Sequence, residues 1–545
     1  MRGALGFFVL AVASAQTARI DGRLVNGVTG EAVSGASVHL RLGGYRGGIY
    51  NLVSDSEGLF AFVGLAPGSY IVSADRAGFL SANYGVKFLP AGEPIRLTAG
   101  ESRTLEFTLM PRASISGRVL GPGVEPLPGA RVEAWRWAWL PQSGQRTLRV
   151  VDRTMSDDHG NFHLNRLETG SYFVTAVVEP DDPEPQPHLF RRRPAQEAFP
   201  ITFYPNAATI AEASMVQAIA GRDTAAVNLK LDRQRMFRVG GKIVNFYSGH
   251  SIKPVTLELV PQDPSALALP TSVHSTVAME GVFEFSGVRP GRYSIFARDN
   301  SPSEHLVSRL EVSVTEKDQD NLRLELRPGA EVMCLVHTDR PIADDYDLVQ
   351  IPVGQQIKVA VILRSAEGSH LGAAVATRDM HEGGLRLRNI PPGKYWVDLA
   401  NLPQGFYIKS IRFGEQDGTA APLTVREGDK APLDVTLSDK SATLSGVVES
   451  AKGKPVRISQ VVLAPAPPNL AGVSRLVKGT VSGPLGAFQF TNVTPGEYFL
   501  LAFEDTQPGE AEDPEFRAAF QGDALEVSIA PASSQRTTLY AIPRQ

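Results

Sequence analysis

One cysteine, Cys334, stands in 545 residues, so no intramolecular disulfide can form. Whatever domains this chain builds must rest on their apolar cores alone. Within Glu331-Val-Met-Cys-Leu-Val-His337 that cysteine sits among apolar neighbours on an expected strand, where it reads as a small buried hydrophobe rather than a nucleophile. Charge of one sign is also scarce. Lysine plus arginine number 54 against 58 acidic residues, a net charge of −4. Such a balance gives no electrostatic reason to expect nucleic acid or an anionic membrane. His-Glu-x-x-His is absent, as are a Gly-x-Ser-x-Gly elbow and a phosphate-cradling glycine loop. No metal, cofactor or catalytic set is assigned. Helical periodicity is nearly missing, and after the first residues no apolar run is long enough to cross a bilayer.

What the sequence has is a repeat. Gly486-Ala-Phe488-Gln-Phe490-Thr-Asn-Val493-Thr-Pro495-Gly496-Glu-Tyr498 alternates aromatic and polar residues, turns at Pro-Gly, and begins a second strand at the tyrosine. The unit recurs as Gly58-Leu-Phe60-Ala-Phe62 with Pro67-Gly68-Ser-Tyr70, and as Gly160-Asn-Phe162-His-Leu164 with Gly170-Ser-Tyr172. It returns as Gly281-Val-Phe283-Glu-Phe285 with Pro290-Gly291-Arg-Tyr293, and as Gly383-Gly-Leu385-Arg-Leu387 with Pro392-Gly393-Lys-Tyr395. The five tyrosines are spaced 102, 121, 102 and 103 residues apart, the size of a whole domain rather than of a solenoid repeat. Each copy reads as a hairpin. Gly 51 and Pro 39 supply the turns of an all-β chain.

Taken in order, residues 1–15 read as a signal peptide: Arg2, an apolar run from Ala4 to Val12, and a small-x-small cut at Ala13-Ser14-Ala15. The expected location is secreted, periplasmic or cell-surface, with no transmembrane segment in the mature chain. Five β-sandwiches follow, at 16–111, 112–234, 235–328, 329–439 and 440–545. In the first, Ala36, Val38 and Leu40 alternate with polar residues, giving one buried and one wet face. The second carries the Pro-rich stretch Glu179 to Pro187 and then Arg191-Arg192-Arg193, read as an extended, exposed loop, and a short helix is expected over Ile210 to Ala220. The fourth diverges, since it lacks the opening glycine and has Leu385 and Leu387 for the aromatic pair. In the fifth, the acidic segment from Asp505 to Phe520 is expected to be briefly helical.

The order Ser116-Gly117-Arg-Val119, Pro128-Gly129-Ala130-Arg-Val132, Asp157-Asp-His-Gly160-Asn-Phe162 and Gly170-Ser-Tyr172 resembles the carboxypeptidase regulatory-like domain. Thr169 takes the place of the turn proline in that copy. The resemblance implies a tandem array of five transthyretin-like Greek-key sandwiches, a fold often grouped with carbohydrate-binding-like folds. It fixes turns and core rather than a site.

Three patterns are candidate sites. Asp55-Ser-Glu57-Gly58 and Asp157-Asp158-His-Gly160 cluster oxygens, but an aspartate there is best spent capping its own turn. His159 and His163 flank Phe162 and are not expected to share a metal. The remaining stretch is Val132-Glu-Ala134-Trp135-Arg-Trp137-Ala-Trp139, which holds three of the four tryptophans. Alternation puts Trp135, Trp137 and Trp139 on one face, and matching Ala130, Val132 and Ala134 to the core turns that face outward. Exposed indoles there would stack on sugar rings. Packing against a neighbouring domain, cover from the 179–200 loop, or a bulge turning the rings inward stay open, and Trp396 beside Tyr395 is a weaker instance. The sequence thus points to an exported, non-enzymatic scaffold binding polysaccharide or an envelope protein. The alternatives are an array serving polymer degradation and an accessory subunit or regulatory module of a peptidase or transporter system.

Overall fold

The computed structural model describes residues 17–42, 48–85, 94–140, 144–178, 197–245, 254–267, 269, 272–278, 280–299, 306–339, 359–371, 374–378, 385–470, 473–483, 485–504, 506 and 509–543. The leader at 1–15, the Pro-rich stretch with its arginines, and Gly383 lie outside these residues. By contacts the chain divides into two compact units. One comprises Met1–Ser116, His163–Tyr172 and Val216–Ala226, the other Gly117–Phe162, Phe173–Met215 and Val227–Gln545.

The architecture is all-β, and the only α-helices among the described residues are the short Pro264–Leu267 and Pro514–Ala518. A glycine-bearing opening strand dominates the first unit. Ala18–Asn26 runs antiparallel to Leu59–Leu65 and parallel to Ser102–Leu109, with Gly22 opposite both Phe60 and Leu105. The second sheet is ordered Ile49–Val53, Ser37–Leu42, Gly68–Asp75, Ala82–Asn83, and Ile95–Leu97 also pairs with Gly68–Asp75. Between the two sheets lie Ile20, Leu24, Val38, Leu40, Phe60, Phe62, Tyr70, Val72 and Phe107. Strict alternation produces this core: Phe60 and Phe62 are buried while Leu59, Ala61 and Val63 face solvent.

In the larger unit the same pairing recurs. Phe237–Asn245 pairs antiparallel with Val282–Val288 and parallel with Gln319–Pro328. Ala330–Thr338 does so with Leu385–Ile390 and Leu433–Ser438, and Ala442–Glu449 with Ala487–Val493 and Ser534–Ile542. Their cores are correspondingly separate groups within 237–326, 330–437 and 442–539. Phe60 and Phe62 meet edge-on at 6.1 Å, Phe283 and Phe285 at 6.1 Å, and Phe488 and Phe490 at 6.0 Å.

The repeat unit is not a hairpin. The phenylalanine strand pairs with the opening strand, whereas the tyrosine strand pairs with strands such as Ser37–Leu42. The turn therefore carries the chain from one sheet to another in the first, second and fourth repeats, and between non-neighbouring strands of one continuous sheet in the third and fifth, which alternation alone does not reveal. The tyrosine fixes that crossing. Tyr70 donates its hydroxyl hydrogen bond to the Ala66 carbonyl at 2.8 Å, Tyr172 to Glu168 at 3.0 Å and Tyr293 to Arg289 at 3.0 Å. Tyr395 donates to Pro391 at 2.6 Å and Tyr498 to Thr494 at 2.7 Å, so all five reach the carbonyl four residues back. Burial pushes the Tyr498 hydroxyl up to about 12.

The fourth repeat lacks the opening glycine, and Cys334 stands at that register position, opposite Leu385. In the other copies a Cβ there would collide, at Gly22 2.2 Å from the Phe60 ring, and at Gly117, Gly241 and Gly446 1.9, 2.0 and 2.2 Å from the carbonyl oxygens of Val227, Leu322 and Thr537. Cys334 is buried as expected, and burial pushes its thiol up to about 12. No helix forms over 210–220; Val216–Ala218 is instead a strand pairing with the start of Gly170–Val178. The acidic segment does contain a helix, Pro514–Ala518, whose first turn is capped by Asp513 accepting from the Glu515 amide at 3.0 Å.

Tyr498→Phe leaves the Thr494 carbonyl without its donor and should destabilise the core within 442–539 by about 0.5–1.5 kcal/mol. Tyr498→Ala, which also empties the core, should cost about 3–5 kcal/mol. Denaturant melts of the two variants against the parent test the order. Cys334 should resist a thiol-specific disulfide reagent in the native chain and react fully once the chain is unfolded, as absorbance of the released thiolate would record.

Candidate binding face on the tryptophan strand

Arg131–Leu140 lies between Gln145–Met155 and Gly170–Val178 in its sheet. Ala130, Val132 and Ala134 are wholly buried, so the sequence places the opposite side of this strand correctly as the outer face. The expected exposure of that face fails. Trp135 is 2% exposed, Trp139 7% exposed, and Trp137 only half-buried.

Two kinds of cover account for this. Trp135 and Trp137 pack with Leu148, Phe173, Phe203, Ile201, Ile210 and Leu269. Trp137 meets Phe173 edge-on at 6.1 Å, Phe173 meets Phe203 likewise at 6.1 Å, and the Trp135 indole donates to the Thr175 hydroxyl at 2.8 Å. The second cover comes from far along the chain. The Arg146 guanidinium lies 4.2 Å from the Trp137 ring, with its Nε 2.9 Å from Asp513 and a further ion pair to Glu515. Arg136 reaches Glu510 at 3.8 Å. At Gly509, where φ is +83°, a Cβ would sit 2.8 Å from the Trp139 carbonyl oxygen, so the segment before the short helix lies against the strand.

The electrostatics are those of a partly buried contact. Burial lowers the Arg146 pKa and raises that of Asp513, while each partner opposes the shift of the other. The sequence signals for this clamp were legible only in halves: an acidic run near 510–515, and arginines spaced along Gln145–Met155. Nothing in either half names the other.

The remaining patterns are structural. Asp55 Oδ1 accepts from the amides of Glu57 at 2.9 Å and Leu59 at 2.8 Å, and Asp157 Oδ1 from those of His159 at 2.9 Å and Asn161 at 2.8 Å. Hydrogen bonding to Asn161 depresses the Asp157 pKa, as a turn cap should. His163 lies 3.8 Å from Asp223, and no group of three or more metal-ligating side chains occurs among the described residues. Trp396 is half-buried, opposite Arg364 on the outer face of its sheet. No helix among the described residues is long and apolar enough to cross a membrane.

Residues 19–110 match the family model of the carboxypeptidase regulatory-like domain. No curated protein matches the sequence. Among solved structures, a streptococcal ancillary pilin is similar at 11% identity and a TM-score of 0.21, covering 57% of this chain and 99% of its own. A shaft pilin from Lactobacillus rhamnosus GG is similar at 11% identity and a TM-score of 0.20, with coverages of 41% and 98%. A hydroxyquinol 1,2-dioxygenase from Pseudomonas putida gives 15% identity and a TM-score of 0.14, with coverages of 18% and 58%. Likenesses this distant carry no argument about function.

Replacing Arg146 by Ala, or Gly509 by Val, should loosen the cover over the tryptophans. Three of the four tryptophans lie on this strand, so emission should shift to the red and quenching by iodide should rise. Unchanged emission in both folded variants would mean that the contact with 509–515 does not form.

Proposed function

With a carboxypeptidase regulatory-like domain over residues 19–110 as the premise, we propose that the chain is an exported, non-enzymatic scaffold of five such sandwiches, at 16–111, 112–234, 235–328, 329–439 and 440–545. One observation carries this reading. The side chains that recur from copy to copy are spent on the fold itself, the tyrosine on its own turn and the phenylalanine pair on the core. Export is supported by Arg2, the apolar run Ala4 to Val12 and the small residues Ala13 to Ala15.

Such a scaffold acts by presenting sheet faces and loops to a component of the cell envelope, a protein or a polysaccharide. Burial of Trp135 and Trp139 favours the protein, because an indole reads a sugar ring only when its face is free. Both targets are accessible to one experiment. The mature chain is incubated with isolated envelopes and cross-linked, and in parallel is passed over a panel of insoluble and soluble polysaccharides. A specific cross-linked envelope protein, together with polysaccharide retention that is absent or insensitive to Trp135→Ala/Trp137→Ala, supports the scaffold. Selective retention on one polysaccharide, lost in that double variant while it remains folded, would move the function back to the tryptophan strand.

A further inference from the structure

In the first sandwich one sheet ends, among the described residues, on the strand Ile49–Val53. Ile49–Val53 pairs with Ser37–Leu42 on one side, and among the described residues no strand pairs with the other. Ile49 is 65% exposed and Val53 64%. The direction of the free backbone groups follows from the ladder. Leu42 N donates to Gly48 O at 3.1 Å and Ser54 N to Ala36 O at 2.9 Å, at the two ends of a single register. Antiparallel alternation then points Tyr50 and Leu52 at the neighbouring strand, and the amides and carbonyls of Ile49, Asn51 and Val53 at the open side.

An uncharged edge of this kind is what soluble proteins ordinarily block with charge, proline or a bulge. The equivalent strand of the second repeat, Gln145–Met155, carries Arg146, Arg149, Asp152 and Arg153. Ile-Tyr-Asn-Leu-Val carries none. We propose that Ile49–Val53 is a self-association edge that pairs antiparallel with the same strand of a second copy of this chain, about a two-fold axis through Asn51.

The strand is complementary to itself in this arrangement. Ile49 of one copy falls opposite Val53 of the other, giving β-branched cross-strand pairs on the outer face. Asn51 falls opposite Asn51. Its orientation is already set, since its Oδ1 lies 2.7 Å from His39 Nδ1 while His39 Nε2 lies 2.8 Å from Asp75. No charged side chain enters this ladder, whereas self-pairing of Gln145–Met155 would bring in Arg146, Arg149, Asp152 and Arg153 from each copy. A two-fold contact also closes on itself, so the product is a dimer rather than a fibre. The ladder is short, well below the roughly 1,200 Å² of a stable interface, so the dimer should be weak and concentration-dependent.

Sedimentation velocity on the full mature chain over a concentration series tests this, alongside Ile49→Lys/Val53→Lys. The parent should pass from monomer to dimer, and the double variant should associate at least about tenfold more weakly. Asn51→Cys provides an independent readout, because Cys334 is buried and leaves the new thiol as the reactive one. A short bis-maleimide should join two Asn51→Cys chains, and should not join chains carrying Thr104→Cys on the opposite sheet. A parent that is monomeric to roughly 1 mM, a dimer unaffected by the lysines, or cross-linking no better at 51 than at 104 would overturn the proposal. Should the lysine variant fail to fold, by circular dichroism, the cross-linking comparison decides alone.

Discussion

In every repeat a phenolic hydroxyl reaches back to the carbonyl four residues before it and ties the turn to the strand that follows. In the first, second and fourth repeats the two strands joined by the tyrosine turn belong to different sheets, and in the third and fifth they lie apart in one continuous sheet. In either case the turn leaves carbonyls that need donors. Each tyrosine supplies a ring to the core and a donor to one of those carbonyls, so apolar burial and satisfaction of the turn come from a single side chain. The net worth of the hydrogen bond is only about 0.5–1.5 kcal/mol. Its leverage comes from position, because the angle at which the chain leaves one sheet sets how the other lies over it. With no disulfide to do that work, the tyrosine is the staple.

The tryptophan strand shows the same economy between repeats. In the larger unit, parts of the outer sheet faces are covered by contacts among sequence-distant segments. Glu258, on the outer face of its strand, accepts from Ser369 Oγ at 2.8 Å and from the His370 amide at 2.9 Å. Arg309 lies 2.9 Å from Glu367. Trp135 to Trp139 and the clamp through Arg146 belong to this set. Groups that would look like binding residues on an isolated sandwich are partners for the rest of the chain.

This is also where the sequence stopped being legible. Alternation gave the buried face where it was read, as at Ala36, Val38 and Leu40 or Phe488 and Phe490, since a period of two needs only local information. The turn glycines and aspartates were readable for the same reason, and Asp55 and Asp157 cap the turns in which they occur. Parity even placed the indoles on the correct side of their strand. It did not reveal that Phe203, Leu269 and the 509–515 segment lie over them, because burial by residues distant in sequence leaves no local trace. The crossing of the tyrosine turn escaped for a related reason, as strand and turn chemistry are local and sheet membership is not. The helix expected over 210–220 yielded to strand pairing at Val216–Ala218.

One further property follows from the parallel pairing of the opening and closing strands. In the first sandwich Arg19 lies opposite Ser102 and Asn26 opposite Leu109. The polypeptide therefore enters at one end of this pair and leaves at the other. Tension applied through the chain loads the pair in shear, so its hydrogen bonds resist together instead of parting one after another as they would in a zipper. The same holds for Ala442–Glu449 against Ser534–Ile542, where Thr443 faces Ser534 and Glu449 faces Tyr540. Strand direction alone thus sets both pairs to be loaded in shear rather than unzipped when the chain is pulled from its two sides.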